Sequence, residues 1–173
     1  GQKILLINDA FIFSDSPWLV GGKGKKVLIS GKKENFGGGI MISETNLLSK
    51  FTNTSFAYLN GVSKNNNFLT KQYILTGAIN INRSEVIFED VAFEGIRAED
   101  ALNIINSKFK IVNSYFKEIS SDAIDIDFSD GDILNSNFVN IQNDAIDFSG
   151  SKAELKNIEF SYVGDKLVSA GEN

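Results

Sequence analysis

Residues 121–150 read SDAIDIDFSDGDILNSNFVNIQNDAIDFSG, and the recurrence inside this stretch decides the fold. Asp122-Ala123-Ile124-Asp125 returns as Asp144-Ala145-Ile146-Asp147 after 22 residues. Working outward, Asp100-Ala101-Leu102-Asn103 lies 22 residues before it, Gly77-Ala78-Ile79-Asn80 a further 23, and Asp165-Lys166-Leu167-Val168 follows after 21. Other columns keep nearly the same step: Phe93, Phe116, Phe138 and Phe160; Ile96, Ile119, Ile141 and Val163; and the polar series Asp90, Asn113, Asn135 and Asn157. A fixed period of this length means stacked structural units. Phe56 and Leu59, preceded by Asn53, carry the pattern one unit earlier, displaced by an insertion around Ser63 to Lys71.

Within Ile124-Asp125-Ile126-Asp127-Phe128 apolar and polar residues alternate, which predicts a strand with Ile124, Ile126 and Phe128 inside and both aspartates outside. Phe109-Lys110-Ile111 and Ile133-Leu134-Asn135 behave alike, and Gly, Asn, Asp and Ser gather between such runs at turns. A coil of two or three short strands, stacked on its neighbours, closes a parallel β-solenoid in which equivalent side chains lie about 4.8 Å apart along the axis. Short β-prone runs at Ile4–Ile7, Ala10–Phe13, Trp18–Val20, Val27–Ile29 and Ile40–Ile42 predict earlier coils, about seven or eight in all. The fold class is therefore all-β, a right-handed parallel β-helix, forming one domain over residues 1–173 with its clearest repeats at 77–173. Ile4 opens a strand almost at once and the chain stops at Gly171-Glu172-Asn173 just after a new coil begins. A fragment of a longer chain, or ends that meet a partner, is the expectation, because β-helix ends expose unpaired strand edges.

Composition limits the chemistry. There is no Cys and no His, which removes disulfides, thiolates, the usual zinc ligands and imidazole acid–base catalysis. A net charge of −5 argues against nucleic acid. Residues 1–75 carry +5 and residues 76–173 carry −10, an asymmetry that suits head-to-tail self-association as well as local solvation. No apolar run approaches the roughly 18–20 residues of a membrane span.

The segments from Ser121 to Asp127 and from Gln142 to Ser151 resemble the pectin-lyase-like β-helix superfamily. With Glu99-Asp100-Ala101-Leu102-Asn103-Ile104-Ile105-Asn106-Ser107 and the ending Asp165-Lys166 to Gly171-Glu172, the chain is more closely similar to β-helix regions of bacterial surface or envelope proteins, some of which carry a CotH-type kinase domain. That resemblance, covering Phe51 to the end, implies an extracellular, cell-surface or periplasmic scaffold that needs no cofactor and binds a polysaccharide or protein. The superfamily also holds polysaccharide lyases and glycoside hydrolases, and the coil with Asp122, Asp125 and Asp127 is similar to the aspartate-rich coil of the hydrolases. Their second motif survives here only as Asn143-Asp144-Ala145, and their cleft histidine has no counterpart.

The strand pattern stacks Asn103, Asp125 and Asp147 on one outward face, with Asp127 beside them and Ala101, Ala123 and Ala145 leaving room. A second series, Asp100, Asp122, Asp144 and Asp165, marks the strand starts. Stacked carboxylates repel unless a proton, a cation or backbone donors intervene. Three outcomes are open. The aspartates serve turns and solvent; or Asp125, Asp127 and Asp147 hold calcium, a hard cation that takes oxygen ligands; or Asp122, Asp125, Asp127, Asp144 and Asp147 supply a carboxylate pair for glycosidic cleavage. Tyr58, Tyr73, Tyr115 and Tyr162 are candidate sugar-stacking platforms, with Tyr115 pointing outward as a ligand contact, whereas Trp18 is expected to pack. Gly21-Gly22-Lys23-Gly24-Lys25-Lys26 lacks the phosphate-loop pattern and reads as a solvated turn.

Overall fold

The computed structural model describes residues 1–62 and 75–171. The insertion around Ser63 to Lys71, Tyr73 and the final Glu172-Asn173 lie outside the described residues. Two parallel sheets and no helix make up the described chain. The first sheet holds β1 (Gln2–Leu5), β3 (Leu19–Gly21), β4 (Val27–Ser30), β6 (Ser49–Ala57), β8 (Glu85–Glu94), β10 (Lys108–Val112), β11 (Tyr115–Ile119), β13 (Asp130–Ile141) and β15 (Lys152–Val163). The second runs in the order β2 (Phe11–Ser14), β5 (Gly39–Ser43), β7 (Gly77–Asn82), β9 (Asp100–Ile105), β12 (Asp122–Asp127), β14 (Ile146–Ser149) and β16 (Ser169–Ala170). Each coil gives one strand to this second sheet, so the described residues form seven coils, numbered here in that order. All five early β-prone runs form strands, β1 to β5.

The columns read from the sequence are the interior. Phe56, Phe93, Phe116 and Phe138 are wholly buried, and their rings stack on one another and on Phe160 at 4.6–5.4 Å. Beside them runs Ile40, Ile79, Leu102, Ile124 and Ile146, in direct register across the second sheet. A third run passes from Val20 through Phe51, Phe88, Ile111 and Ile133 to Leu155. Apolar burial of this kind contributes about 25 cal/mol per Å² removed from water and dominates the stability of the stack.

The coil bends at three corners, each a column of residues in the left-handed region. Asn53, Asp90, Asn113, Asn135 and Asn157 form one column, with φ of 49–55°. This is the polar series of the sequence, and its residue type follows from the bend, because Asn and Asp tolerate positive φ better than other side chains. Tyr58, Gly95, Glu118, Asn140 and Tyr162 form the second column, and Glu44, Arg83, Asn106, Phe128 and Gly150 the third. Phe128 thereby corrects an expectation. Alternation placed it inside, but the chain turns there at φ 49° and leaves it 67% exposed. Its ring lies over Gly150, where an added Cβ would come within 2.7 Å of it.

Serines tie the coils together next to the third corner. Thr45 N donates to Ser84 Oγ, Ser84 N to Ser107 Oγ, Ser107 N to Ser129 Oγ and Ser129 N to Ser151 Oγ, at 2.9–3.1 Å. Each serine hydroxyl in turn donates to the carbonyl two residues before it. A shorter ladder runs from Val91 N through Ser114 to Ser136. Backbone groups that would be orphaned where the strands break are satisfied in this way.

Candidate acidic site

The second sheet brings most of the predicted site residues onto one outward face. Asn80, Asn103, Asp125 and Asp147 stack in register, and Asp127 sits two residues along the same strand as Asp125. They are not equally open. Asp125, Asp127 and Asp147 are half-buried, whereas Asn103 is 1% and Asn80 2% exposed. Ala101, Ala123 and Ala145 are also fully buried and belong to the core, so they leave no room on the outside.

Each amide in the column has its own task. Asn80 folds back on Gly77, accepting from its N–H at 3.0 Å and donating to its carbonyl at 2.7 Å. Asn103 Nδ2 instead donates across the coils to Asp125 Oδ2 at 2.9 Å. Burial pushes the Asp125 carboxyl up to about 7, with Asp127 and Asp147 adding to the effect and the Asn103 amide opposing it. Asp127 is raised in the same direction by burial and by Asp147. Among the described residues, no three acidic side chains converge closely enough to hold a metal ion.

The strand-start aspartates do different work. Asp122 Oδ1 accepts from Asp144 N at 2.8 Å and from Asn143 Nδ2 at 2.7 Å. Asp144 Oδ1 accepts from Lys166 N at 2.9 Å, and its Oδ2 lies 3.4 Å from Lys166 Nζ. Lys166, not Asp165, therefore occupies the column in the last coil. The apparent step of 21 residues followed the like residue type, while the backbone kept its step of 22, with Ala145 N donating to Lys166 O. Asp165 pairs with Lys166 Nζ from the side, at 2.7 Å.

Tyr115 does not join this face. It is 37% exposed on β11 in the first sheet, beside Ala92 and Asn137. Trp18 packs as expected, tilted on Phe51 at 6.2 Å, with its Nε1 donating to Ser14 Oγ. Gly21 to Lys26 forms a tight turn closed by Lys25 N donating to Gly22 O. A feature that the sequence did not suggest lies along the second corner column. Tyr58 lays its ring over Gly95, Phe36 meets Tyr58 edge-on, and the Arg97 guanidinium sits 4.1 Å over the Phe36 ring. These residues line a groove of about 250 Å³ that continues past Glu118 to Asn140 and Gln142. The only hint was Gly95, a glycine in a column otherwise filled by larger residues. No helix among the described residues is long and apolar enough to cross a membrane.

Comparison of the chain with protein-family models, with curated proteins and with solved structures finds no match.

Proposed function

We propose that the chain is a non-catalytic β-helix scaffold of a bacterial surface or envelope protein that binds a glycan or a protein along its acidic face. One observation carries this reading. Asp122 and Asp144, two carboxylates that a hydrolase would need free, each commit Oδ1 to a backbone N–H of the next coil. Carboxylates tied to backbone donors are held against the next coil and do not approach a sugar bond. The likeness of the aspartate coils to bacterial surface β-helix regions supports the setting. Apolar residues exposed on the terminal coils, Ile4 and Leu5 at one end and Leu167 and Val168 at the other, suit end-to-end self-association as a partner mode.

A second reading has its own observation. A carboxyl raised to about 7 beside two others, as Asp125 is, has the proton affinity of a general acid. The alternative is a calcium-assisted polysaccharide lyase or glycoside hydrolase. An assay of reducing ends and of unsaturated products over uronate and neutral glycans, with and without calcium, separates the two. The scaffold reading expects no turnover above that of the Asp125→Asn variant. Turnover that this variant abolishes would overturn it.

A further inference from the structure

Three departures from the regular repeat meet at the second corner, away from the acidic face. The first corner has Asn or Asp at all five positions, and its φ of 49–55° suits them. The second corner bends the same way, at φ of 54–63°, yet holds Tyr58, Gly95, Glu118, Asn140 and Tyr162. Tyrosine and glutamate fit this region poorly, and residues kept there against their preference point to a use. Tyr58 and Gly95 belong together, because a Cβ on Gly95 would come within 2.9 Å of the Tyr58 ring. The third departure is the hairpin closed by the Lys32–Asn35 bridge, which brings Lys33 and Phe36 to the groove. Phe36 meets Tyr58 edge-on and carries the Arg97 guanidinium 4.1 Å above its ring.

The charge along the groove is one-sided. Its two cations, Lys33 and Arg97, come from the second and fourth coils, and neither has an acidic partner among the described residues. Stacking on Phe36 orients the guanidinium and leaves its N–H fork open to an anion. The fifth and sixth coils add Glu118, Ser120, Asn140 and Gln142 to the lining, and no cation. Glu118, 3.5 Å from Lys117 Nζ, is itself an acid, and a polymer with an acid on every unit would set its second charge against it. The groove therefore suits a ligand that is negative at one end only.

Arg97, Ser120 and Gln142 form one column, each N–H donating to a carbonyl of the coil before, at Leu59, Ile96 and Ile119. Two coil steps separate Arg97 from Gln142, about 10 Å, the span of about three extended residues. On the other side of the buried Ile96 and Ile119 stand Glu118 and Asn140. Gln142 Nε2 donates to Asn140 Oδ1 at 3.0 Å, which leaves Gln142 Oε1 to accept and Asn140 Nδ2 to donate. An extended polypeptide presents N–H and C=O groups along both edges, and carboxamides pair with both. We propose that this groove binds the carboxyl-terminal end of an extended partner polypeptide. Arg97 takes the terminal carboxylate, Tyr58 the last side chain, and the polar rows of the fifth and sixth coils the peptide groups before it.

The test uses the whole chain labelled with nitrogen-15 and a library of acetylated tripeptides with free carboxyl ends, varied at the last residue and offered at up to about 5 mM. Carboxamide forms of the same peptides, methyl glucuronide and an oligouronate are the comparison probes. The expected result is a shift of the Arg97, Ser120 and Gln142 amide signals by peptides with an apolar last residue. Their carboxamides should bind at least about tenfold more weakly, and Arg97→Gln should lose as much. Arg97 is exposed, so the variant should keep the circular dichroism of the parent; if it does not fold, the acid and carboxamide forms decide on the unsubstituted chain alone. No binding of any peptide acid, carboxamides that bind as well as acids, or an unchanged affinity in a folded Arg97→Gln overturns the proposal. Uronate binding that Arg97→Gln abolishes, without binding of a peptide acid, would make the occupant an acidic sugar and overturns it too. Asp125, Asp127 and Asp147 lie on the outer face of the second sheet, so none of these outcomes decides the acidic-face reading.

Discussion

The first three coils and the last four solve the same packing problem with different economy. In the first sheet, Gln2 pairs with Val27, Val27 with Thr54 and Thr54 with Val91, steps of 25, 27 and 37 residues. From Glu85 onward the partners are Lys108, Asp130 and Lys152, steps of 23, 22 and 22. Yet one interior column passes through both regions without a break, from Ile29 to Phe56 and Phe93. A solenoid needs its columns filled, not its coils equal. Extra residues leave at the corners, as in the tight turns closed by the Gly22–Lys25 and Lys32–Asn35 bridges. The fit is closest in the middle of the stack: Phe93, Phe116 and Phe138 lie at 4.6–4.8 Å with planes within 4° of parallel, against 5.1 Å and 25° where Phe56 meets Phe93 and 5.4 Å and 24° where Phe138 meets Phe160.

The sharpest way to break this comparison is to cut a ring from the regular stack. Phe116→Ala should destabilise the chain by about 3–5 kcal/mol in urea unfolding, because a fully buried ring between two parallel neighbours leaves a cavity that cannot collapse. Phe160→Ala, half-buried in the last coil, should cost about half of that or less. Equal losses would show that end coils are as firmly packed as middle ones.

A smaller effect separates the ladders from ordinary surface bonds. Ser107→Ala removes the acceptor of the buried Ser84 N–H and should cost about 1–3 kcal/mol. Ser16→Ala in the first coil loses only an exposed contact with Asp15 and should stay within about 0.5 kcal/mol. Hydrogen exchange at Ser84 would check the origin, since its amide should lose protection only in the ladder variant. The smallest effect concerns the shared corner. Asn113→Val and Asn53→Val should each cost roughly 1–2 kcal/mol by forcing a β-branched residue to φ near 50°, while glycine at either position should be close to neutral. A milder loss at Asn53 would mean that the displaced coils relax their corner, a distinction that midpoint shifts can read.

The same contrast explains how much could be read in advance. The Phe, Ile and Asn columns were legible because an interior position and a left-handed corner each accept few residue types, and recurrence then shows. Phe128 misled because alternation does not reveal where a strand bends. The last aspartate misled for a related reason: Asp165 matched in type, whereas Lys166 matched in register. The serine ladders passed unnoticed because serine also fills turns, and only the cross-coil donors distinguish the two uses. At the acidic face the column was visible but its burial was not. Asn103 stands on the outward face, as the alternation has it, yet is 1% exposed; strand periodicity says which side a residue faces, not what lies over that side.

The serine ladder has one more consequence. Each ladder serine offers a hydroxyl to the coil before it and an amide to the coil after it, and it completes its own bond within its own coil. A coil of this kind carries both halves of its joint. A duplicate placed beside it would meet the same lock with the same key, needing no new interface and adding about 4.8 Å of length. The four regular coils thus behave as a gauge whose length can be set by copying, and tandem duplication of 22 residues is the change of length to which this architecture offers least resistance.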